Sequence, residues 1–151
     1  MNQDIRRFQF NGEDALLLPA RREAFTTLKE WLNSIAEELE LPVKTRKQLL
    51  IAADEIFTNI ASYGYPSGDG TAKVVVEFDM AQAELTLIFS DTGVPYNPLE
   101  TPPPDISRPL AEREVGGLGI FMVKKIMDSV EYRREGSRNI LVLKKRLLQE
   151  G

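Results

Sequence analysis

Apolar residues along the chain change their spacing several times, and each change marks an element. Ile5 to Phe10 and Ala15 to Leu18 alternate with polar residues, and Asn11-Gly12 lies between them. A period of two around an Asn-Gly turn predicts a β-hairpin. Phe25, Leu28, Trp31 (or Leu32), Ile35 and Leu39 then recur at helical spacing, which predicts an amphipathic helix with Trp31 in the core. Pro19 suits the first turn of that helix. Pro42 should end it near Leu41, because a proline ring pushes the preceding residue out of helical geometry. A second helix is predicted from Val43 to Tyr63, with Leu49, Ala53, Ile56 and Ile60 as its stripe. Gly64-Tyr65-Pro66-Ser67-Gly68-Asp69-Gly70 reads as a loop. Val74, Val76 and Phe78, then Leu85, Leu87 and Phe89, alternate on either side of Ala81-Gln82-Ala83, so a two-strand meander is expected.

The stretch from Asp91 to Val115 follows no period and holds Pro95, Pro98, Pro102, Pro103, Pro104 and Pro109. A long irregular connection inside a compact domain is usually functional or disordered. Beyond it, Gly117 to Asp128 reads as a helix with Ile120, Val123, Ile126 and Met127 turned inward. Two strands close the chain, Val130 to Arg134 and Ile140 to Leu147, around a turn at Glu135 to Arg138. With no internal repeat, residues 1–151 form one domain. The pattern predicts an α/β (α+β) two-layer sandwich, with helices on one face of a mostly antiparallel, mixed sheet.

Composition narrows the chemistry. A chain of 151 residues buries enough core to dispense with disulfides or a structural metal. It contains no histidine and no cysteine, so zinc-hydrolase sites and histidine bases are excluded, and carboxylates must do any acid–base work. The net charge is −4; the densest basic cluster, Lys144-Lys145-Arg146, ends an apolar strand, and nucleic acid is not expected as a partner. No apolar run is long enough to span a bilayer, and Met1 to Arg7 lack a signal-peptide core. A cytoplasmic protein without a membrane partner is expected.

Three stretches carry candidate chemistry. Glu55 and Asn59 are four residues apart on the second helix, so they share a face beside Ile56 and Ile60. Asn59 can offer a neutral oxygen to Mg²⁺, which keeps waters and takes other ligands from phosphates, and Glu55 can act as a base on an attacking hydroxyl. For this pair alone, an ordinary solvated helix face is the favoured reading. In Asp91-Thr92-Gly93-Val94-Pro95-Tyr96-Asn97-Pro98, Asp91 can accept from an adenine amino group, with Gly93 leaving room for a flat base. The same residues also make a plain turn. Gly116-Gly117-Leu118-Gly119 starts a helix, where free N–H groups and the dipole favour phosphate. It is neither a Walker loop nor a Rossmann start, and simple helix initiation is the alternative.

Taken together, Glu55-x-x-x-Asn59, Asp91-x-Gly93-x-Pro95-Tyr96-Asn97-Pro98 and Gly116-Gly117-Leu118-Gly119-Ile120 resemble the N-box and the two glycine boxes of the GHKL ATPase superfamily. The form of the boxes, with Lys124-Lys125-Ile126-Met127-Asp128 and the strand Asn139 to Arg146, is similar to the small serine-kinase anti-sigma factors of bacteria (the RsbW and SpoIIAB type). The resemblance implies a Bergerat fold that holds ATP and Mg²⁺, with a mobile lid over about residues 99–115. It implies Glu55 as base and Asn59 as magnesium ligand. Asp91 becomes the adenine reader and Gly93 a base-site glycine, and the phosphates fall to Gly116, Gly117, Leu118 and Gly119. Arg108 or Arg113 in the lid would reach the γ-phosphate, or either is solvated loop charge.

Two positions depart from the family pattern. Tyr63 stands where many members have histidine after the N-box, and Arg138-Asn139 where many have a threonine close to adenine. The activity implied is an ATP-dependent serine/threonine protein kinase acting as an anti-sigma factor. It would phosphorylate a small antagonist (a STAS-type protein) in a partner-switching system that also involves a sigma factor. Homodimers are common among such proteins. The alternatives are an ATP-binding switch module without phosphotransfer and a simple ATPase. A sensor histidine kinase is not expected, because histidine and a phosphoacceptor helix pair are both lacking.

Overall fold

The computed structural model of the chain describes residues 4–100 and 117–147. Its strands are β1 (Ile5–Arg7), β2 (Leu16–Pro19), β3 (Thr71–Asp79), β4 (Glu84–Asp91), β5 (Ser129–Glu135) and β6 (Arg138–Arg146). Its α-helices among the described residues are α1 (Phe25–Glu38), α2 (Val43–Asn59) and α3 (Gly117–Ile126). The six strands form one sheet in the order β1-β3-β4-β6-β5, with β2 also on β3. All ladders are antiparallel, within the mostly antiparallel sheet expected.

Alternation decides which side of the sheet is covered. Val74 and Val76 on β3, Leu85, Leu87 and Phe89 on β4, and Leu141 and Leu143 on β6 are all buried in one core with the helices. From the helices come Leu28 and Trp31 on α1, Ile56 and Phe57 on α2, and Val123 on α3. Trp31 is a core residue as expected: its indole N–H donates to the Gln9 carbonyl at 3.1 Å, and Phe10 meets its ring edge-on at 5.9 Å. Phe57, wholly buried, stacks obliquely on Phe25 at 6.2 Å. These contacts tie α1 to the segment between β1 and β2 and α2 to α1, while Ile56 and Phe57 join α2 to the common core.

Three local expectations are corrected. β1 and β2 do not pair as a hairpin. They lie end to end along one edge of β3, β1 against Glu77 to Asp79 and β2 against Thr71 to Val74. The turn itself forms, with Asn11 and Gly12 at positive φ, but it is closed by the single bridge Phe10–Glu13. Pro19 ends β2 rather than opening a helix, and α1 starts after a 3-10 turn at Arg22–Ala24. At its other end, α1 stops at Glu38, three residues before Leu41, with Glu40 at φ 54°. There the Leu41 N–H reaches the Ala36 carbonyl at 2.9 Å and the Glu40 N–H the Glu37 carbonyl at 3.0 Å, a Schellman closure. Finally, α2 stops at Asn59 and the chain continues through a wider π turn, Ile60–Gly64.

Candidate functional site

The π turn aims the end of α2 at the ends of β4 and β6. Along β4 the core-facing positions run Leu85, Leu87, Phe89 and then Asp91, while along β6 they run Leu143, Leu141 and then Asn139. Asp91 and Asn139 are direct cross-strand partners. The apolar stripe of the sheet thus ends in a carboxylate and an amide, both buried at 8% and 6% exposure. Above them a narrow cleft, with a cavity volume of about 30 Å³, lies between the sheet and α2. Ile56, Ile60, Phe89 and Leu141 give it apolar walls, Asn59, Asp91 and Asn139 supply polar groups, and Tyr96 and Pro98 border it. An apolar slot with a few convergent polar groups is the usual form of a small-ligand site.

Asp91 is anchored through one oxygen. Its Oδ1 accepts the Gly93 N–H and the Asn139 amide, each at 2.9 Å. Gly93 is required by a close approach: a Cβ there would lie 2.2 Å from the Gly64 carbonyl oxygen. That oxygen accepts the Val94 N–H at 2.8 Å. The turn after β4 is therefore pinned to the π turn after α2. Outside this turn, the Tyr65 hydroxyl accepts the Thr92 N–H at 2.9 Å and donates to the Thr71 carbonyl at 2.7 Å. Asn97 ties the exit, taking the Leu99 N–H on its side chain at 2.9 Å. Three residues of this stretch, Asp91, Tyr96 and Pro98, both shape the turn and line the cleft.

Glu55 is half-buried one turn before Asn59. Burial raises its pKa above the ordinary carboxylate value, the neighbouring Asp54 charge raises it further, and a hydrogen bond with Asn59 pulls it back in part. Its carboxylate rests against the start of α3: a Cβ added to Gly119 would lie 2.0 Å from the Glu55 Cδ. Glu55, Asn59 and Gly119 are thus one neighbourhood, and Asn59 also walls the cleft that Asp91 floors. Gly117 and Leu118 begin α3 in the same turn as Gly119. Gly116, Arg108 and Arg113 lie outside the described residues, as does most of the predicted lid. Among the described residues no three acidic, histidine or cysteine side chains gather as a metal site.

Several residues at or beside the cleft carry no ligand signal in the sequence. Gly64 belongs to the expected loop, yet it packs on Asp91 and Gly93. Tyr132 and Arg134 alternate as ordinary strand residues, yet both bond Asn139. A partial signal existed: Asn139 has the same parity as Leu141 and Leu143, so it had to face the core. Tyr63, the histidine replacement, is exposed and stacks on Tyr96 with ring centres 5.4 Å apart.

An antiparallel sheet covered on one face by helices, with a mainly apolar cleft beneath α2, is the architecture of an ATPase domain of the Bergerat type, and the family pattern agrees. The chain belongs to the histidine kinase-like ATPase domain family, whose pattern matches residues 18–145. It is similar to the serine/threonine-protein kinase BtrW of Bordetella bronchiseptica, 28% identical over 130 residues that cover 86% of this chain and 91% of that protein. It is also similar to the serine-protein kinase RsbW of Bacillus mycoides, 22% identical over 131 residues, or 84% and 81% of the two chains. Among solved structures, the RsbU and RsbW domains of Rv1364c from Mycobacterium tuberculosis share the fold with a TM-score of 0.63 at 15% identity. That match covers 88% of this chain and 32% of the longer one.

Proposed function

We propose that the chain is an ATP-dependent serine/threonine protein kinase and anti-sigma regulatory factor. Its substrate is a small anti-sigma-factor antagonist of the STAS type. The observation that carries this reading is the Glu55 carboxylate, half-buried and raised in pKa, between Asn59 and the start of α3. A bystander on a helix face has no reason to be buried against a glycine. A general base is most effective when its pKa approaches the working pH. The relatives named as serine-protein kinases, matched over most of their length, support the same reading.

In this proposal residues 1–151 are a single ATP-binding domain, with about 99–115 as the lid. Adenine enters the cleft between Ile56, Ile60 and Leu141 and donates its amino hydrogen to Asp91, with Gly93 keeping the floor flat. The phosphates run towards Gly116, Gly117, Leu118 and Gly119, where the N-terminal N–H groups of α3 favour negative charge, and Arg108 serves the γ-phosphate. The side-chain oxygen of Asn59 fits a magnesium ion that otherwise relies on phosphate and water oxygens; once bound, the ion neutralises charge developing on the phosphates. The antagonist's hydroxyl oxygen bonds to the γ-phosphorus as the bond to the β–γ bridging oxygen breaks. Glu55 takes the hydroxyl proton, and ADP leaves. Phosphate on the antagonist then places charge at the contact between the two proteins and separates them, and the freed kinase holds a sigma factor instead. No described helix is long and apolar enough to cross a membrane, consistent with a cytoplasmic site of action.

The test is a pull-down with magnesium and isotopically labelled ATP, followed by mass spectrometry for phosphoserine or phosphothreonine on the captured protein. Labelled partner is expected with the native chain and none with Glu55→Gln. ATP binding without any phosphoprotein would instead favour a nucleotide-dependent switch module. Phosphate release with no partner present would mark a simple ATPase.

A further inference from the structure

Asn139 is the most connected polar side chain in the cleft, and both ends of its amide are occupied. Its Nδ2 donates to Asp91 Oδ1 and to the Val94 carbonyl, each at 2.9 Å. Its Oδ1 accepts from the Tyr132 hydroxyl at 2.5 Å, from Arg134 Nη1 at 3.1 Å and from the Tyr96 N–H at 3.4 Å. Only this orientation puts donors on acceptors at both ends; a flipped amide would set nitrogen against three donors and oxygen against two acceptors. Arg134 also donates to the Gly93 carbonyl at 3.0 Å. The β5–β6 hairpin is therefore bolted to the turn that carries Asp91. A threonine hydroxyl, with one proton, could not serve both Asp91 and Val94.

The result is an asymmetric carboxylate. Oδ1 of Asp91 is held by two donors, and among the described residues no hydrogen bond uses Oδ2. We propose that Asn139, braced by Tyr132 and Arg134, is a positioning residue for base selectivity. By holding Oδ1, it leaves Oδ2 as a fixed acceptor in the cleft, which takes a purine with an exocyclic amino group and rejects one with a keto oxygen there. Arg134 and Tyr132 strengthen the clamp by polarising the amide, since hydrogen bonds in series reinforce one another. The proposal rests on the nucleotide reading above and adds a residue that acts through Asp91.

The test compares binding of ATP and inosine triphosphate, which has a keto oxygen in place of the amino group. The native chain should prefer ATP. Asn139→Ala should lose about tenfold or more of that preference, the value of one well-placed polar contact, chiefly through weaker ATP binding. Asn139→Asp sets a carboxylate against Asp91 Oδ1 and the Val94 carbonyl, so preference should be lost at pH 8 and partly recovered in acid, where a protonated Asp can donate. Should Asn139→Ala not fold, Tyr132→Phe removes only one hydroxyl and should lower the preference by a smaller factor. Equal weakening of both nucleotides in every folded variant overturns the proposal and leaves Asn139 as scaffold. If the native chain binds neither nucleotide, the underlying nucleotide reading falls as well, an outcome distinct from an unchanged ratio.

Discussion

Gly119→Ala separates the stability of the fold from the placement of Glu55. The new Cβ would sit 2.0 Å from the Glu55 Cδ and 2.1 Å from its Oε1, about 1.5 Å inside ordinary carbon contact. The obstacle is the far end of a flexible side chain, so Glu55 can swing aside. A poorer rotamer costs about 0.5–1.5 kcal/mol. Replacing glycine by alanine in a helix returns about 0.8–1.0 kcal/mol. The two effects nearly cancel, so the change in stability should stay within about 1 kcal/mol, or about 2–4 °C in Tm for a domain of this size. Phosphotransfer responds differently: a base displaced by about 1 Å loses on the order of 100-fold in rate. Calorimetry gives the first quantity, and transfer of labelled phosphate to the captured antagonist gives the second. The double variant Gly119→Ala/Glu55→Gln separates the two roles of the position: any slowing beyond Glu55→Gln alone belongs to the phosphate contact proposed for Gly119, and the remainder to the displaced carboxylate. Undiminished transfer in Gly119→Ala would refute the role given to Glu55. A Tm drop near 10 °C would show instead that the carboxylate is locked in place.

Other substitutions test neighbouring parts of the reasoning. Glu55 has a raised pKa on folding, so its contribution to stability is complete below the ordinary carboxylate value and disappears as pH rises through the folded value. Urea titrations should therefore find Glu55→Gln gaining stability relative to the native chain from pH 4 to pH 8; a variant that loses ground to the native chain over this range contradicts the burial argument. Gly93→Ala drives a Cβ to 2.2 Å from a backbone oxygen, which cannot rotate away. It should cost about 1–3 kcal/mol and weaken nucleotide binding, and native-like denaturation would rule out the close approach of the two turns. Glu40→Gly relieves a left-handed residue at the end of α1 (φ 54°); a gain of about 0.5–1 kcal/mol is expected in chemical denaturation, and a loss would mean that the Schellman closure is misassigned.

Much of the fold was legible because its signals are local. Leu85, Leu87 and Phe89 alternate, and Phe25, Leu28 and Ile35 step at helical spacing, so the type of these elements follows from a short window. Where local signals competed, the reading failed. Pro19 fits both the first turn of a helix and an edge strand, and the open edge of β3 decided for the strand. Asn11-Gly12 makes its turn, but β1 and β2 each gain more ladder from β3 than from each other. In the candidate site, residue type and spacing single out Glu55, Asn59, Asp91 and Gly93, which the fold brings near one cleft. Tyr132, Arg134 and Gly64 are not singled out, because nothing near them in the chain announces a ligand.

By itself, the sequence determined which residues face inward and which carry chemistry, since periodicity and side-chain type are properties of a few consecutive residues. Tertiary structure decided who meets whom. The register of β4 on β6 sets Asp91 opposite Asn139, 48 positions away, and the packing of α2 against α3 lays Glu55 on Gly119. Those meetings depend on ladder register and helix packing across the whole core, where a slip of one residue would turn Asp91 to the other face.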